Sequence, residues 1–583
     1  MTRSTCLSAL GGMDAQRRSR AGLRVAGALL LSLTTAGCSA SWFVEDADAE
    51  VAHVLDQADS KALAHREGWI EQPEQRAEEV EQGPGAEGSA ETDAGGAAAA
   101  DIADGAGAPD DDAPEDTPPD KTPARVPLTE LTLENSLGSA FSTAREYITR
   151  EEDLYLAGLG LTLTRFSFGP QLDSTVSYLW GNSEDGPSSH DARADFGVSQ
   201  LLATGGTFSV ATGLGTRRVG GPHLGDPDKG KSWDSNVDFS LSQPLLRGAG
   251  YDVAFEGLTQ AERSILYAVR TFELFRQDHA ISIIQQYFDL ISQRTQLENT
   301  RGNYNDAVYD RDKTEALRRV ERSKEEDLIL ARRREVDSRN ALLVAENDYA
   351  FALDTFRVRL GLPETNEVVI GDESPPFEAV RLDAESAVDV ALHNRLDLLT
   401  AAEQVEDSQR QVNVARNGLL PDVNLDLGYG LDGDGGTFGS ATPPEDYRAT
   451  AALTIDIPLQ RLPERNTYRA TLIAYQRAQR DYELLLANTE RDVRDALRSL
   501  DQLEEQIELA EQQIRQDEKA VVLTLIRFES GDSEARDLLE SRQSLVDARN
   551  ALIQVQVNHF IARLLLYRNL GLLFIDESGS WRA

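Results

Sequence analysis

Few residue groups in this sequence have the types and spacing that chemistry requires. The segment from Gly225 to Ser232, with Gly230 and Lys231, satisfies the phosphate-binding loop pattern. In that loop, glycines let backbone amides wrap the phosphates, the lysine supplies charge and the hydroxyl holds magnesium. Such a loop follows a buried strand and opens a helix, whereas here Pro227 precedes the lysine and a polar segment leads into a strand-like stretch. We therefore interpret Gly225, Gly230, Lys231 and Ser232 as part of an external loop and predict no nucleotide site.

Other chemistry has equally little support. Asp432 and Asp434 could meet calcium in a loop, but two carboxylates among glycines are more often plain turn residues. The seven histidines are scattered without a His-Glu-x-x-His pair, and the only cysteines are Cys6 and Cys38. The sequence therefore predicts no enzyme, no metal site and no cofactor.

Charge limits the partners of this chain. A net charge of -41 argues against direct binding to nucleic acid or anionic lipid. From Ser39 to Pro127 there are 23 acidic residues against 5 basic ones. Runs rich in glycine, alanine and proline within this stretch cannot bury enough apolar surface to offset chain entropy. We interpret residues 39–127 as an acidic, largely disordered linker, most clearly over residues 72–126.

The N-terminus carries an export signal. Four arginines between Arg17 and Arg24 precede an apolar run from Val25 to Leu33, which is too short to span a bilayer and fits a signal peptide over residues 1–38. Small residues lead up to Cys38, as in a bacterial lipobox, so we predict that Cys38 is lipidated. The alternative is an ordinary secretory signal with an incidental cysteine. Translation could begin at Met1 or at Met13.

The second feature of the chain is an internal duplication. Asp337 to Leu343 returns as Asp547 to Ile553, and the offset of 210 persists for over thirty residues. Such a long period predicts two similar units of several elements each. We place the first unit at 128–361 and the second at 381–571, with a connecting segment at 362–380 and a C-terminal tail at 572–583.

Each unit changes from strands to helices. Alternating apolar and polar residues predict strands over about 171–243 and about 423–457, with four strands possible in the first unit and two in the second. Polar stretches without proline follow and predict helical hairpins over about 255–360 and about 467–570, long enough to form rods. Leu538, Leu545 and Leu552 repeat at seven, which indicates a coiled-coil seam.

The strands need a partner for their apolar face, and no compact globular remainder exists to supply one. Lipid could cover that face, with Tyr178, Trp180, Tyr429 and Tyr447 near the rims of a membrane barrel. Because four or six strands cannot close a barrel, we predict that several chains share one barrel and that their helical hairpins prolong it into a tube. The fold class is thus an α+β membrane protein. The alternative is a periplasmic adaptor or tethering coiled-coil protein without a pore.

A family resemblance agrees with this reading. The order and spacing of several motifs, over roughly Leu128 to Phe574, resemble the TolC family of outer-membrane efflux and secretion ducts, in its lipid-anchored branch. These motifs are Ala391-Leu-His-Asn-Arg-Leu-Asp-Leu398, Leu420-Pro-Asp422, Arg527-Phe528, Gly531, Asp537-Leu-Leu539 and Leu570-Gly571. The resemblance implies a homotrimer with a twelve-stranded barrel in the outer membrane of a Gram-negative-type bacterium, a periplasmic helical tunnel, and docking by a periplasmic adaptor (membrane fusion protein) of an inner-membrane pump. It implies an exit duct for tripartite efflux or type I secretion, passing small molecules or proteins.

The resemblance also implies two groups of site residues. The tips of the helical hairpins would contact the adaptor, and here they are Val320, Glu321 and Arg322 in the first unit and Ser530, Gly531 and Asp532 in the second. Glu321 stands where the family has glycine. Asp537 and Glu540, six and nine positions beyond Gly531, would form a pore constriction, because carboxylates converging from three copies repel one another and favour cations or protonation. The alternative is that both are ordinary exposed helix charges.

Overall fold

The structure, a computed structural model, describes most of the chain beyond residue 127 and one segment before it. The described residues are 40–70, 128–181, 188–220, 230–320, 323–363, 367–371, 373, 375–442, 444–530, 532–533, 535–576, 579 and 581–582. The predicted signal peptide, Cys38 and the clearest part of the linker therefore lie outside the described residues.

Two units follow one another along the chain, and each runs from two shorter helices through strands to two long helices. A helix α1 (Ala40–Ile70) and a strand β1 (Leu128–Leu131) come first. The first unit then has α2 (Leu133–Ser142), α3 (Arg145–Phe168), β2 (Gln171–Gly181), β3 (Ser188–Leu201), β4 (Thr207–Gly220), β5 (Lys231–Pro244), α4 (Tyr251–Ala254), α5 (Glu256–Arg319) and α6 (Glu325–Arg359). After β6 (Glu367–Ile370), the second has α7 (Ala384–Asn394), α8 (Leu396–Asn417), β7 (Asp422–Gly435), α9 (Phe438–Ala441), β8 (Asp446–Asp456), α10 (Leu462–Ser530) and α11 (Ala535–Leu570). Two short strands, β9 (Phe574–Ile575) and β10 (Trp581–Arg582), form a hairpin at the end.

The duplication is visible in how each unit closes. Gly361 after α6 and Gly571 after α11 have φ angles of 73° and 72°, a region that glycine occupies without steric cost. A Cβ at Gly361 would lie 2.2 Å from the carbonyl oxygen of Thr143, between α2 and α3, and one at Gly571 would lie 2.7 Å from that of Asn394, the last residue of α7. Both long hairpins are therefore seated in the same way on a pair of shorter helices.

The strands form one antiparallel sheet. Its order is β2-β3-β4-β5-β7-β8, so the two units meet where β5 pairs with β7. The sequence leaves four or six strands open, and the described chain has six in this sheet, four from the first unit and two from the second. Both outer strands, β2 and β8, are exposed along almost their whole length.

The two faces of the sheet differ in polarity, as the alternation predicts. One face carries large apolar side chains that remain exposed in a single chain: Leu172, Val176, Tyr178, Trp180, Phe196, Phe208, Phe239, Leu427, Tyr429, Tyr447, Leu453 and Ile455. The other face carries aspartate, serine, threonine and glycine. We call these the apolar face and the polar face. An exposed apolar face of this extent indicates a surface that contacts protein or lipid.

Long helices continue from the sheet. The helices α5 and α10 have 64 and 69 residues, which corresponds to about 100 Å at 1.5 Å per residue. They pair with α6 and α11 along seams of buried small and apolar residues such as Leu328, Ala331, Leu538 and Ala548. Glu335, which interrupts the heptads of α6, accepts a hydrogen bond from Arg311 of α5. None of the helices in the described ranges has the length and apolar character of a membrane span.

The main core lies about midway along α5 and fixes the hairpins to each other. Leu137, Tyr287, Phe288 and Phe560 are among its buried side chains, contributed by α2, α5 and α11. The parallel pair β1 and β6 covers one side of this core. The hairpins are thereby held firmly in the middle, while their tips project beyond the core.

The N-terminal part of the predicted linker is helical. Residues 40–70 form the 31-residue helix α1, whereas residues 72–126, where the sequence most clearly predicts disorder, lie outside the described residues. The apolar stripe Val51, Val54, Ala58 and Ala62 is buried against Leu161 of α3 and Ile265 of α5. The composition of the segment does not reveal such a stripe. The stripe is stabilised by burial against α3 and α5, which are distant in the sequence.

Candidate pore entrance at the hairpin tips

The tips of the two hairpins lie side by side. Lys313 near the end of α5 lies over the ring of Phe528 near the end of α10, with 5.6 Å between the ammonium and the ring centroid. At the second tip, the backbone N–H of Asp532 donates to the carbonyl oxygen of Arg527 at 2.8 Å, which closes the helix end. The hydroxyl of Ser530 donates to the Asp532 carboxylate at 3.2 Å.

The structure describes three of the six residues predicted to contact the adaptor. Val320, Ser530 and Asp532 are exposed on the two tips. The other three, Glu321, Arg322 and Gly531, lie outside the described residues.

The predicted constriction residues lie just beyond the second tip. Asp537 and Glu540 are in the first turns of α11, both exposed, and their spacing of three puts them on one side of the helix. The hydroxyl of Ser533 donates to Asp537 at 3.1 Å. Exposure on a shared side is the arrangement that a ring of carboxylates from several copies would require.

One of these carboxylates, Glu540, lines a groove between α6 and α11 that holds charges of both signs. Arg333, Arg334 and Arg536 line the same groove, and so do Asp337 and Asp547. Glu540 therefore has basic neighbours within its own chain.

Next to this groove, a cluster of charges ties the two hairpins together. The guanidinium of Arg542 on α11 lies 3.0 Å from the carboxylate of Asp306 and 3.4 Å from that of Asp310, both on α5. Arg334 of α6 donates to the carbonyl oxygen of Leu539 on α11 at 3.3 Å and to the side chain of Asn303 on α5 at 3.1 Å. We call Arg542, Asp306, Asp310 and Arg334 the tip cluster.

The tip cluster is largely shielded from water, so its charged groups act strongly on one another's pKa values. The side chains of Arg542 and Asp310 are only 15% and 13% exposed. Burial raises the pKa of Asp310, and the positive charge of Arg542 opposes that rise. Burial also lowers the pKa of Arg334, against the attraction of Asp310. For Asp310 and Arg334, burial thus disfavours the charged form, and a neighbour of opposite charge favours it.

Sequence reasoning missed the tip cluster. Asp306 and Asp310 are four residues apart on a helix, a spacing that puts two carboxylates on one face and could have suggested a cationic partner. The partner, Arg542, is more than 230 residues away, and the sequence does not show which of the many arginines reaches it.

The polar face of the sheet forms a second charged surface. By strand register it carries eleven aspartates and three arginines. The aspartates are Asp173, Asp191, Asp195, Asp234, Asp238, Asp422, Asp426, Asp432, Asp434, Asp446 and Asp456, and the arginines are Arg193, Arg217 and Arg448. A lumen lined by this face would carry a strong negative potential.

The sequence patterns set aside as decoys lie on this sheet. Lys231 and Ser232 open the strand β5 rather than a helix, and the Lys231 ammonium lies 5.1 Å from the ring centroid of Trp233. Gly230 lies in the turn before that strand, and Gly225 is outside the described residues. Asp432 and Asp434 lie within β7 and not in a free loop. Within the described part of the chain, no group of three or more His, Cys, Asp or Glu side chains could hold a metal ion.

Comparison with known proteins points to one family. The sequence model of the family described as outer membrane efflux protein matches residues 387–572. The pyoverdine export outer membrane protein OpmQ of Pseudomonas putida is 24% identical over 444 residues, covering 71% of this chain and 87% of that protein. The outer membrane protein TolC of Vibrio cholerae is 21% identical over 351 residues, covering 58% of this chain and 77% of that protein.

Solved structures share the fold. The CmeC outer membrane channel of Campylobacter jejuni superimposes with a TM-score of 0.54 at 14% identity, covering 75% of this chain and 85% of that one. The open state of the MtrE outer membrane channel of Neisseria gonorrhoeae gives 0.53 at 15% identity, covering 76% and 89%. The described chain therefore has the architecture of these channels, a sheet continued by long helical hairpins.

Proposed function

This chain belongs to the outer membrane efflux protein family, which includes TolC, and we propose that it is an exit duct that carries cargo from the periplasm through the outer membrane. The observation that carries the proposal is the six-stranded sheet with one apolar and one polar face, continued by helices about 100 Å long. An apolar face suits contact with lipid, and a polar face suits a water-filled lumen.

The duct is a homotrimer. Six strands cannot close around a lumen, so copies of the chain must contribute to one barrel, and the resemblance to TolC supports three. In a trimer, the α5/α6 and α10/α11 hairpins of three copies line a single tunnel in the periplasm. An enzymatic role is not part of this proposal.

The partners are a periplasmic adaptor and an inner-membrane pump. The adaptor binds the hairpin tips at Val320, Glu321, Arg322, Ser530, Gly531 and Asp532. Since Glu321 replaces the family's glycine, the first tip offers an acidic contact where relatives offer bare backbone. The cargo is small molecules or proteins, selected by the pump.

A lipid on Cys38 anchors the N-terminus in this proposal, and the position of α1 constrains how. Asp48 contacts Tyr155, and Val51 lies against Gly158, so α1 runs parallel to α3 and toward the sheet. Its first residue, Ala40, is then about 33 Å farther from the sheet than Ala62, at 1.5 Å per residue. We therefore propose that α1 separates from α3 and α5 when an acyl chain at Cys38 enters the outer membrane. Labelling with radioactive palmitate, lost in Cys38→Ala, tests the anchor.

Asp537 and Glu540 constrict the periplasmic end of the tunnel. Three copies of each carboxylate around one axis would repel one another and favour cations. The test is single-channel conductance in a planar bilayer, comparing the wild type with Asp537→Ala plus Glu540→Ala. Small cation-selective currents that grow in the double variant are the expected result.

The other outcomes are equally informative. A channel whose conductance is unchanged in the double variant supports the duct and removes these two residues from its constriction. Folded, trimeric protein that forms no channel contradicts the duct and favours an adaptor or tethering role. A matched control is Asp337→Ala, an exposed carboxylate on α6 near the same groove.

A further inference from the structure

We propose that the hairpin β3/β4 is an integral part of the barrel wall, so that three copies close an eighteen-stranded barrel rather than the twelve-stranded one implied by resemblance. This inference rests on the proposed function. Because barrel diameter grows roughly linearly with strand number, the outer-membrane exit would be about 1.5 times wider. The duct would then pass bulky hydrated cargo that a twelve-stranded exit excludes.

The hairpin is an addition to the first unit. In the second unit, α8 leads into β7, and β8 leads out to α10. By the same order, β2 follows α3 and β5 leads out to α5, which leaves β3 and β4 without counterparts. They lie between β2 and β5 in the sheet, fully paired on both sides. An insertion at this position either widens the barrel or must detach from it.

The polar face indicates that β3 and β4 belong to the wall. Arg193 of β3 reaches across β4 to β5, where its guanidinium donates to Asp234 and to Asn236, each at 2.7 Å. The Arg193 side chain can cross β4 because the residue beneath it on that strand is Gly213. A Cβ at Gly213 would lie 2.4 Å from the Arg193 guanidinium and 2.5 Å from the Asn236 side-chain oxygen. Arg193 thereby ties the inserted hairpin to β5, a contact that a hairpin detached from the sheet would lose.

A second arginine crosses a glycine in the same way, in the strands that the second unit contributes to the sheet. Arg448 of β8 reaches across β7 to Asp238 of β5, at 3.3 Å, and passes Gly430, where a Cβ would lie 3.2 Å from the guanidinium and 2.7 Å from the Asp238 carboxylate. The inserted hairpin and the rest of the sheet are thus joined by the same pattern. In each case an arginine lies flat over a glycine and reaches an acidic or amide partner two strands away. Side chains held flat along the wall leave the lumen open.

The outer edges of the sheet suit closure by further copies. Counting along the antiparallel sheet, β2 and β8 run in opposite directions, so β8 of one copy can pair antiparallel with β2 of the next. Both strands have eleven residues and both are exposed. Since a single six-stranded sheet cannot close, the occupant of each edge is a second copy of this chain.

Disulfide crosslinking tests which strand forms the boundary between copies. In a background with Cys6→Ala and Cys38→Ala, Thr175→Cys on β2 is combined with Thr450→Cys, Ala452→Cys or Thr454→Cys on β8, all on the polar face. Oxidation should give covalent dimers and trimers for at least one pair. The matched control is Ala211→Cys on β4 with the same β8 variants, which should give none. Linkage through Ala211→Cys, or no linkage at any Thr175→Cys pair, overturns the proposal.

Polymer exclusion measures the width itself. Polyethylene glycols of graded size are added on the side of the strand-connecting loops, and the largest that lowers the conductance is recorded for the wild type and for a deletion of residues 188–229. We expect the limiting polymer radius to fall by about one third in the deletion variant. An unchanged limit overturns the inference. If the deletion variant does not fold, a cysteine pair within one chain decides, Thr175→Cys on β2 with Ser240→Cys on β5. The eighteen-stranded barrel keeps two strands between β2 and β5 and allows no disulfide, whereas a detached β3/β4 hairpin would bring them together. Failure of the wild type to form any channel contradicts the proposed function instead.

Discussion

At the scale of single residues, loss of the ion pairs in the tip cluster should have the largest effect on channel conductance. Arg542→Ala leaves Asp306 and Asp310 facing each other on α5 without their nearest cation. The largely buried Asp310 then keeps only the weaker attraction of Arg334 and Lys313. Removing one partner of a buried pair costs about 1–3 kcal/mol, since the remaining charge is less well compensated. We expect the hairpins to separate at their tips and single-channel conductance to rise several-fold.

Arg549→Ala is the control for that prediction. Arg549 lies on the same helix, two turns farther along, and pairs with Glu518 of α10 at 3.1 Å, with both side chains about half exposed. Exposed pairs contribute roughly 0–1 kcal/mol, so this variant should conduct like the wild type. Equal conductance in the two variants would show that Arg542 does not hold the entrance closed.

A buried histidine predicts the direction of the pH dependence of stability. His279 is 3% exposed and packs against the rings of Phe141, Tyr147 and Phe275. Burial lowers its pKa below the ordinary value of 6.5. As the pH falls below 6.5, the unfolded chain takes up a proton that the folded chain still excludes, so stability is present above that pH and is lost on acidification.

Melting temperatures at about pH 7.5 and about pH 5.5 check this prediction. The difference should be smaller in His279→Gln than in the wild type, because glutamine has no proton to gain. The lowered pKa of His559, also caused by burial, acts in the same direction, so some acid sensitivity should remain. An identical loss in wild type and variant would mean that His279 titrates alike in both states.

The residues that the sequence could and could not suggest differ in a physical way. Asp537 and Glu540, whose role as a constriction stays a prediction, follow from the family resemblance by counting along one helix from one tip. Arg542 could not, since an ion pair across hairpins depends on how two rods are rotated against each other. That rotation is set by buried residues in the middle of the rods, such as Tyr287 and Phe560.

At the scale of elements, the glycines of the sheet should tolerate substitution very unequally. Gly213→Ala places a methyl group against Arg193 and Asn236, and overpacking of this kind costs about 1–3 kcal/mol. We expect a lower melting temperature of the assembled protein. The control is Gly439→Ala on α9, where a Cβ meets nothing within 4 Å. Equal melting temperatures would indicate that Arg193 simply moves aside.

Strands and long helices were predictable because their patterns are local. Alternation over 423–430 defined both the strand and its apolar face, and the absence of proline over α5 defined a rod. Helix α1 was not predictable, because Val51, Val54, Ala58 and Ala62 form a narrow stripe within an acidic, alanine-rich sequence. Its stability is supplied by Leu161 and Ile265, and composition carries no information about that contact.

At the scale of the whole molecule, the distribution of charge predicts the ion selectivity of the duct. The polar face has eleven aspartates against three arginines in each chain, and three chains would enclose the lumen with this surface. The resulting negative potential should make the channel cation-selective, and screening should weaken the selectivity as the salt concentration rises.

The aspartates that face each other across strands should contribute strongly to this potential. Asp422 of β7 lies opposite Asp456 of β8 in the register, where two like charges share one position on the polar face. Asp422→Asn plus Asp456→Asn should move the reversal potential in a salt gradient toward zero, while Asp337→Asn, on the helical part, should leave it unchanged. Selectivity that survives the double variant but disappears in Asp537→Ala plus Glu540→Ala would assign the filter to the periplasmic entrance. The charge of the barrel would then serve mainly to keep its wall hydrated and its side chains tied down.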